Sequence, residues 1–249
     1  MILKRLGNKK KIAEEIQKHF PKHTTYIEPF FGAGGMFFNK PKAKYNVVND
    51  LDNDVFNLFQ VLNDDYKELE SAFYMMPVHS ELLNYWKDNL ETEPIKKALR
   101  FLFLSNLTFL GGGEQMRTRG DNSKQLVLDK MKPTFDFLFG VNFSNSDFRK
   151  FLKSIEFRSG EFIYCDPPYL GTNDNYSNSF KEEDSNDLFD ALIETKCNFA
   201  MSEFNHPFIL KQAEKRGLNV IIIGERQNLK NRRIEILVTN YKNNQQSLF

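Results

Sequence analysis

Short apolar runs punctuate the chain at intervals and read as strands: residues 24–30, 45–50 with Val47 and Val48 at its centre, 141–143, 161–165, 198–201, 220–223 and 234–239. Between the first two, residues 34–39 leave room for a turn or two of helix. From residue 52 to about residue 110 the apolar spacing changes to three and four, as in Val55, Leu58, Phe59 and Leu62. Pro94 begins a further stretch of this kind, 95–104, and proline suits a first helical turn. No strand interrupts this run of helices. Gly111-Gly112-Gly113 ends it, because three successive glycines do not hold a helix, and the polar segment 114–124 follows as a loop. Helical segments at 182–196 and 207–216 separate later strands. Strands alternating with helices predict an α/β sheet with helices on its faces. The simplest division is an α/β domain of residues 1–60 and 140–249, interrupted by a helical, loop-bearing insertion over 61–139.

Composition narrows the setting. The chain has 249 residues, 41% of them hydrophobic, as in an ordinary soluble protein. No apolar run approaches the ~20 residues that span a bilayer. No apolar signal-peptide stretch follows Lys9, Lys10 and Lys11, so a cytoplasmic protein is expected. The two cysteines, Cys165 and Cys197, lie in strand-like runs and read as buried, reduced thiols. His19 and His23 flank a helix-breaking Pro21 and have no third ligand near, so no metal is expected. A net charge of +1 gives no global basic signature for nucleic acid. The basic residues nevertheless gather: Lys4, Arg5 and Lys9 to Lys11 at the start, Arg117, Arg119 and Lys124 in the glycine-rich loop, and Arg226, Lys230, Arg232 and Arg233 in a late loop. Solvated surface accounts for such clusters as well as a basic cleft does.

Two segments carry candidate chemistry. Glu28-Pro29-Phe30-Phe31-Gly32-Ala33-Gly34-Gly35 follows the first strand, where glycines let backbone approach a ligand at the strands' carboxyl ends. It lacks the third glycine of the dinucleotide pattern, and a plain tight turn explains it equally well. Asp50 closes the next strand, where an acid can accept from ribose hydroxyls. Asp52 is the better cap for the helix that follows, which leaves Asp50 for a ligand. The second segment, Asp166-Pro167-Pro168-Tyr169, ends the strand at 161–165. Two prolines fix an extended chain with few backbone donors. The product is a rigid platform with a carboxylate, a free carbonyl at Pro167 and an aromatic ring, which are the features an extruded base needs. The alternative is a proline turn with a stray aspartate.

With these residues in this order, the sequence resembles the D12 class, or Dam type, of N6-adenine DNA methyltransferases. Leu6-Gly7-Asn8-Lys9 is similar to the family's first motif, and residues 28–34 match its cofactor motif. Asn49-Asp50 match the acid that follows, and Asp166 to Tyr169 are its DPPY. Tyr176 and Phe180 resemble the segment after DPPY, and residues 235–241 resemble its closing strand. The resemblance implies a Rossmann-like S-adenosylmethionine-dependent methyltransferase sheet with a helical target-recognition insertion. It implies S-adenosylmethionine as cofactor, S-adenosylhomocysteine as product, and double-stranded DNA as partner, and it admits a cognate restriction endonuclease. It places Lys9, Phe30, Gly32, Gly34, Asp50 and Asp166 around the cofactor, and Asp166, Pro167, Pro168 and Tyr169 around the target adenine. Arg5 stands where the family has an aromatic residue. The segment 111–124 does not resemble the GATC-reading loop of the best-known members, so no DNA sequence is implied.

The loop's Gln115, Arg117, Arg119 and Asn122 are side chains that read base edges, with Lys124 beside them, and Arg232 and Arg233 suit a phosphate clamp. Three other readings compete. One is N-methylation of a protein glutamine or of RNA, although the protein-glutamine enzymes that resemble this family normally carry Asn in place of Asp166. A DNA-binding module would not need both intact motifs. A dinucleotide oxidoreductase has no use for DPPY.

Overall fold

The computed structural model describes residues 2–3, 9–117, 122–171, 180–227 and 232–242, with 226 and 227 as backbone alone. In chain order the elements are α1 (Ala13–Gln17), β1 (Thr25–Glu28), β2 (Tyr45–Asn49), α2 (Asn53–Asp64), α3 (Tyr66–Met75), α4 (Ser80–Asp88), α5 (Pro94–Leu107), α6 (Ser123–Leu138), β3 (Val141–Ser144), α7 (Phe148–Ser154), β4 (Glu161–Cys165), α8 (Glu182–Glu194), β5 (Asn198–Phe204), α9 (Pro207–Lys215), β6 (Asn219–Gln227) and β7 (Arg232–Thr239). The chain forms two compact units. One gathers Met1–Lys11, Gly32–Lys42 and Asp50–Asn145, and the other Ile12–Phe31, Ala43–Asn49 and Ser146–Phe249.

The second unit holds six strands of the seven-stranded sheet, in the order β2-β1-β4-β5-β7-β6. β2, β1, β4 and β5 run parallel. β7 enters antiparallel between β5 and β6. The inner strands are buried on both faces, as parallel strands covered by helices are. On one face Ile27, Ile163, Met201 and Ile236 pack against Phe151, Leu188, Leu192 and Ile209 from α7, α8 and α9. On the other, Tyr26, Phe162 and Tyr164 meet the ring of Phe20. Arg149 on α7 reaches Asp184 at 2.6 Å and Asp187 at 2.7 Å on α8, with Asp147 at 3.1 Å, and fastens the two helices side by side.

The first unit is helical apart from β3. Asp52 caps α2 by accepting from Asp54 N at 3.0 Å. Glu93 caps α5 by accepting from the backbone of Ile95 and Lys96, ahead of Pro94 in the first turn. Both caps satisfy amides that the helix cannot. The strand pattern did not anticipate α6 or α7. α6 buries Val127, Met131, Thr134 and Leu138, a helical stripe, and tolerates Pro133 in its interior. β1 stops at Glu28 because Pro29 offers no ladder N–H. β5 and β6 run past the apolar residues that marked them. The late basic loop proves to be the far end of the β6–β7 hairpin, where Arg226 and Arg233 are cross-strand partners.

Candidate active site

β1, β2 and β4 are parallel, so their carboxyl ends share one edge of the sheet, and both candidate motifs leave from that edge. Asn49, the last residue of β2, is buried. Its side chain donates to Pro29 O at 3.0 Å and accepts from Ser146 N at 3.0 Å, and its carbonyl accepts from Phe31 N at 2.9 Å. The exit of β1 is thereby tied to the exit of β2. Phe30 turns into an aromatic trio with Phe148 at 5.4 Å and Phe180 at 6.0 Å. Phe148 was not singled out from the sequence, since it reads there as an ordinary apolar residue of a helix.

In the first unit the glycine turn is fixed by Asp50. Its carboxylate accepts from Gly32 N at 2.5 Å and Asp52 N at 2.8 Å. Asp50 therefore holds the turn together rather than standing clear of it. Gly32 and Gly34 have φ of +53° and +70°, a region other residues avoid. A Cβ built on Gly32 would meet no atom within 4 Å, so space lies open above the turn. Open backbone next to a carboxylate fits a ligand with hydroxyl groups, as a nucleoside-bearing cofactor has. Lys9 is buried at 3% exposure in a 3-10 turn, while Lys10 and Lys11 are exposed.

DPPY follows β4 directly. Asp166 and Pro168 are half-buried, and Pro167 and Tyr169 are buried. The Tyr169 hydroxyl donates to Glu235 Oε1 at 2.5 Å, and its ring stands edge-on to Phe204, 4.7 Å between centroids. Burial, with the Asp166 and Glu235 carboxylates adding to it, pushes the Tyr169 hydroxyl well above its usual range, so it remains a donor. Leu170 N donates to Glu203 Oε1 at 2.9 Å. Burial likewise pushes the thiols of Cys165 and Cys197 up, which favours the un-ionised form of both.

The proposed DNA-facing residues divide. Gln115 and Asn122 are exposed. Arg117 is half-buried and donates to Thr108 O at 3.1 Å and Ser123 Oγ at 3.3 Å, so its guanidinium braces the loop from inside. Lys124, expected at DNA, donates instead to Tyr74 O at 2.8 Å and Met76 O at 2.5 Å and closes the end of α3. Arg232 is exposed, 3.9 Å from Glu225. Arg233 lies across the Phe204 ring and donates to Gly171 O at 3.0 Å. Lys4, Arg5, Leu6, Gly7, Asn8, Arg119, Tyr176 and Lys230 lie outside the described residues.

Comparison with known proteins converges on the same chemistry. The model of the D12 class N6 adenine-specific DNA methyltransferases matches residues 6–235. The DNA adenine methylase of Serratia marcescens is 29% identical over 75% of this chain and 75% of its own length. That of Haemophilus influenzae is 31% identical over 67% of this chain and 63% of its own length. The type II methyltransferase M1.LlaDCHI of Lactococcus lactis subsp. cremoris is 24% identical over 95% of this chain and 94% of its own. A family match that runs from the first motif through the glycine turn and DPPY to Glu235 settles the kinship: the chain belongs to the D12 class of N6 adenine-specific DNA methyltransferases.

Proposed function

We propose that this adenine-specific DNA methyltransferase works by holding an extruded adenine on the DPPY platform. Asp166 and the Pro167 carbonyl accept the two hydrogens of its amino group. The lone pair of that nitrogen is ordinarily delocalised into the ring. Accepting both hydrogens favours a tetrahedral nitrogen with the pair directed outward. Tyr169 stacks on the base. Extrusion costs a few kcal/mol, and stacking returns about 1–3 of them. The family implies S-adenosylmethionine, which supplies an electrophilic sulfonium methyl when bound. Asp50, Gly32, Gly34, Lys9 and the ring of Phe30 are assigned to hold it, with Phe148 and Phe180 behind Phe30. Positioning then supplies much of the rate. The observation that carries this reading is DPPY at the end of a parallel strand, with the Tyr169 hydroxyl already engaged and its ring fixed.

Residues 61–139 are assigned to target recognition. Gln115 and Asn122 are exposed amides suited to adenine in the major groove, and Arg119 to guanine. Phe109 and Leu110 are exposed beside them, at 64% and 45%, and Leu110 has φ +53°. An exposed apolar pair on a glycine-rich loop suits a wedge entering between bases. Arg232 and Arg233 are assigned to phosphates. Kinship with a type II methyltransferase makes a cognate restriction endonuclease a candidate partner. No helix among the described residues is long and apolar enough to cross a membrane. The test is to express the protein in a host lacking N6-methyladenine and to sequence its DNA by a method that detects this base. One recurrent modified site is expected. Unmodified DNA in the presence of folded protein would refute the reading.

A further inference from the structure

Three consecutive residues beyond the prolines are each fastened by an ionisable side chain from β5 or β7. The Tyr169 hydroxyl donates to Glu235. The Leu170 amide donates to Glu203. The Gly171 carbonyl accepts from Arg233. β5 and β7 are paired at this point, Phe204 opposite Glu235 and Glu203 opposite Ile236, so the two carboxylates come from one short stretch of ladder, and Arg233 precedes Glu235 by two residues on β7. Glu203 and Glu235 are each only 1% exposed. Burying a carboxylate is costly unless hydrogen bonds compensate it. Glu203 takes two backbone amides, from Leu170 and from its own neighbour Phe204. Glu235 takes the hydroxyl that fixes where the far end of the Tyr169 ring sits. Phe204 blocks that ring edge-on, and Arg233 covers Phe204 in turn, 5.3 Å from its centroid.

We infer that Glu235 is a positioning residue for methyl transfer: it anchors the hydroxyl end of Tyr169, and so the place its ring occupies, before DNA arrives, with Phe204 restraining the turn of the ring, while Glu203 and Arg233 hold the next two residues in place. The inference rests on the reading that Tyr169 stacks on the target base. A side chain that is already fixed loses no rotational freedom when the base lands on it. A tyrosine free to turn about its χ angles would have to be ordered in each turnover.

The test compares Tyr169→Phe, Glu235→Gln, Glu235→Leu and the double variant Tyr169→Phe/Glu235→Leu. Methyl transfer is measured to unmethylated bacterial genomic DNA, with melting temperature followed in parallel. Tyr169→Phe keeps the ring and removes only the hydroxyl, so it remains informative if Glu235→Leu fails to fold. Tyr169→Phe and Glu235→Leu are each expected to lower kcat by ~10-fold, with the KM for S-adenosylmethionine within about twofold of the parent. The double variant is expected to fall no further than the single ones, since both remove the same contact. Glu235→Gln keeps an acceptor and is expected to recover most of the lost kcat. Full activity in Tyr169→Phe, or losses that multiply in the double variant, would overturn the inference. Asp166→Ala separates the two levels. If Asp166→Ala is inactive while Tyr169→Phe is fully active, the base platform stands and only the locking role fails. If Asp166→Ala is active, the platform itself fails.

Discussion

At the scale of single residues, two aspartates after parallel strands have different work. Asp166 is assigned to an amino group that is present only when DNA is bound. Replacing it with alanine is expected to leave folding and cofactor binding largely intact and to lower methyl transfer by at least ~10². Single-turnover assays with calorimetry alongside check this, and near-normal turnover would remove the mechanism. Asp50 is already engaged with Gly32 N and Asp52 N. Losing its charge removes the acceptor for Gly32 N in the glycine turn, the local bond to Asp52 N, and any bond to ribose hydroxyls. Asp50→Ala is expected to weaken S-adenosylmethionine binding by roughly 10–150-fold, the equivalent of ~1.5–3 kcal/mol. Unchanged affinity by calorimetry would leave Asp50 as a turn residue alone. The place of both aspartates, each directly after an apolar strand, was legible in the sequence. Glu235 and Glu203 were not. Each sits within an apolar strand pattern, and its partner is far away in sequence, 66 residues for the contact between Tyr169 and Glu235. Local pattern carries no information about such a pair.

At the scale of elements, the strands were read closely where β-branched or aromatic runs end at a proline or glycine, as at β1 and β4. α6 escaped because a proline falls inside it and a glycine loop precedes it, although its buried stripe has helical spacing. α7 is too short for periodicity to declare it. Its hold on α8 through Arg149 makes an element-level prediction. Burial alone would raise the Asp184 carboxyl, but hydrogen bonds from the Arg149 guanidinium and the Lys181 amide outweigh it and hold the group below its ordinary value. A depressed carboxyl contributes stability that is fully present above its unfolded value, about 3.9, and is lost as pH falls through the lower folded value. Arg149→Met is therefore expected to cost roughly 1–2 kcal/mol near neutral pH, a modest figure because the carboxylates are partly exposed. That cost should shrink as the pH is taken down toward about 3. Urea unfolding of parent and variant at each pH measures it. A cost independent of pH would assign the effect to lost packing on Phe148, whose ring lies 4.3 Å beneath the guanidinium.

For the molecule as a whole, a net charge of +1 means that DNA affinity must come from local groups rather than from a general field. Arg232 and Arg233 are neighbours in sequence but not in role. Arg232 is exposed and bound only loosely to Glu225, whereas Arg233 also serves Gly171 and Phe204. Arg232→Ala is expected to weaken binding to all duplexes alike and to flatten the salt dependence by about one unit of slope. Arg233→Ala is expected to do this and to lower kcat as well. Binding across a salt series, with turnover on the same DNA, separates them, and identical behaviour of the two variants would refute the distinction. The family and the order of its motifs were legible from end to end. The grouping into two compact units was not, because segments 1–11, 32–42 and 50–145 come together only through tertiary contacts.

The placement of β7 has a consequence in time. β7 follows β1 to β6 in the chain, yet it lies inside the sheet, between β5 and β6. While the polypeptide is still being made, β5 presents an open edge, and the turn after DPPY lacks Glu235 and Arg233. An unpaired edge recruits other chains as readily as its own partner. A nascent chain halted before residue 232 would therefore have the glycine motif and DPPY but an unanchored Tyr169. Such a chain is expected to aggregate and to lack activity, because the strand that fills the middle of the sheet is the last of the described strands to be made.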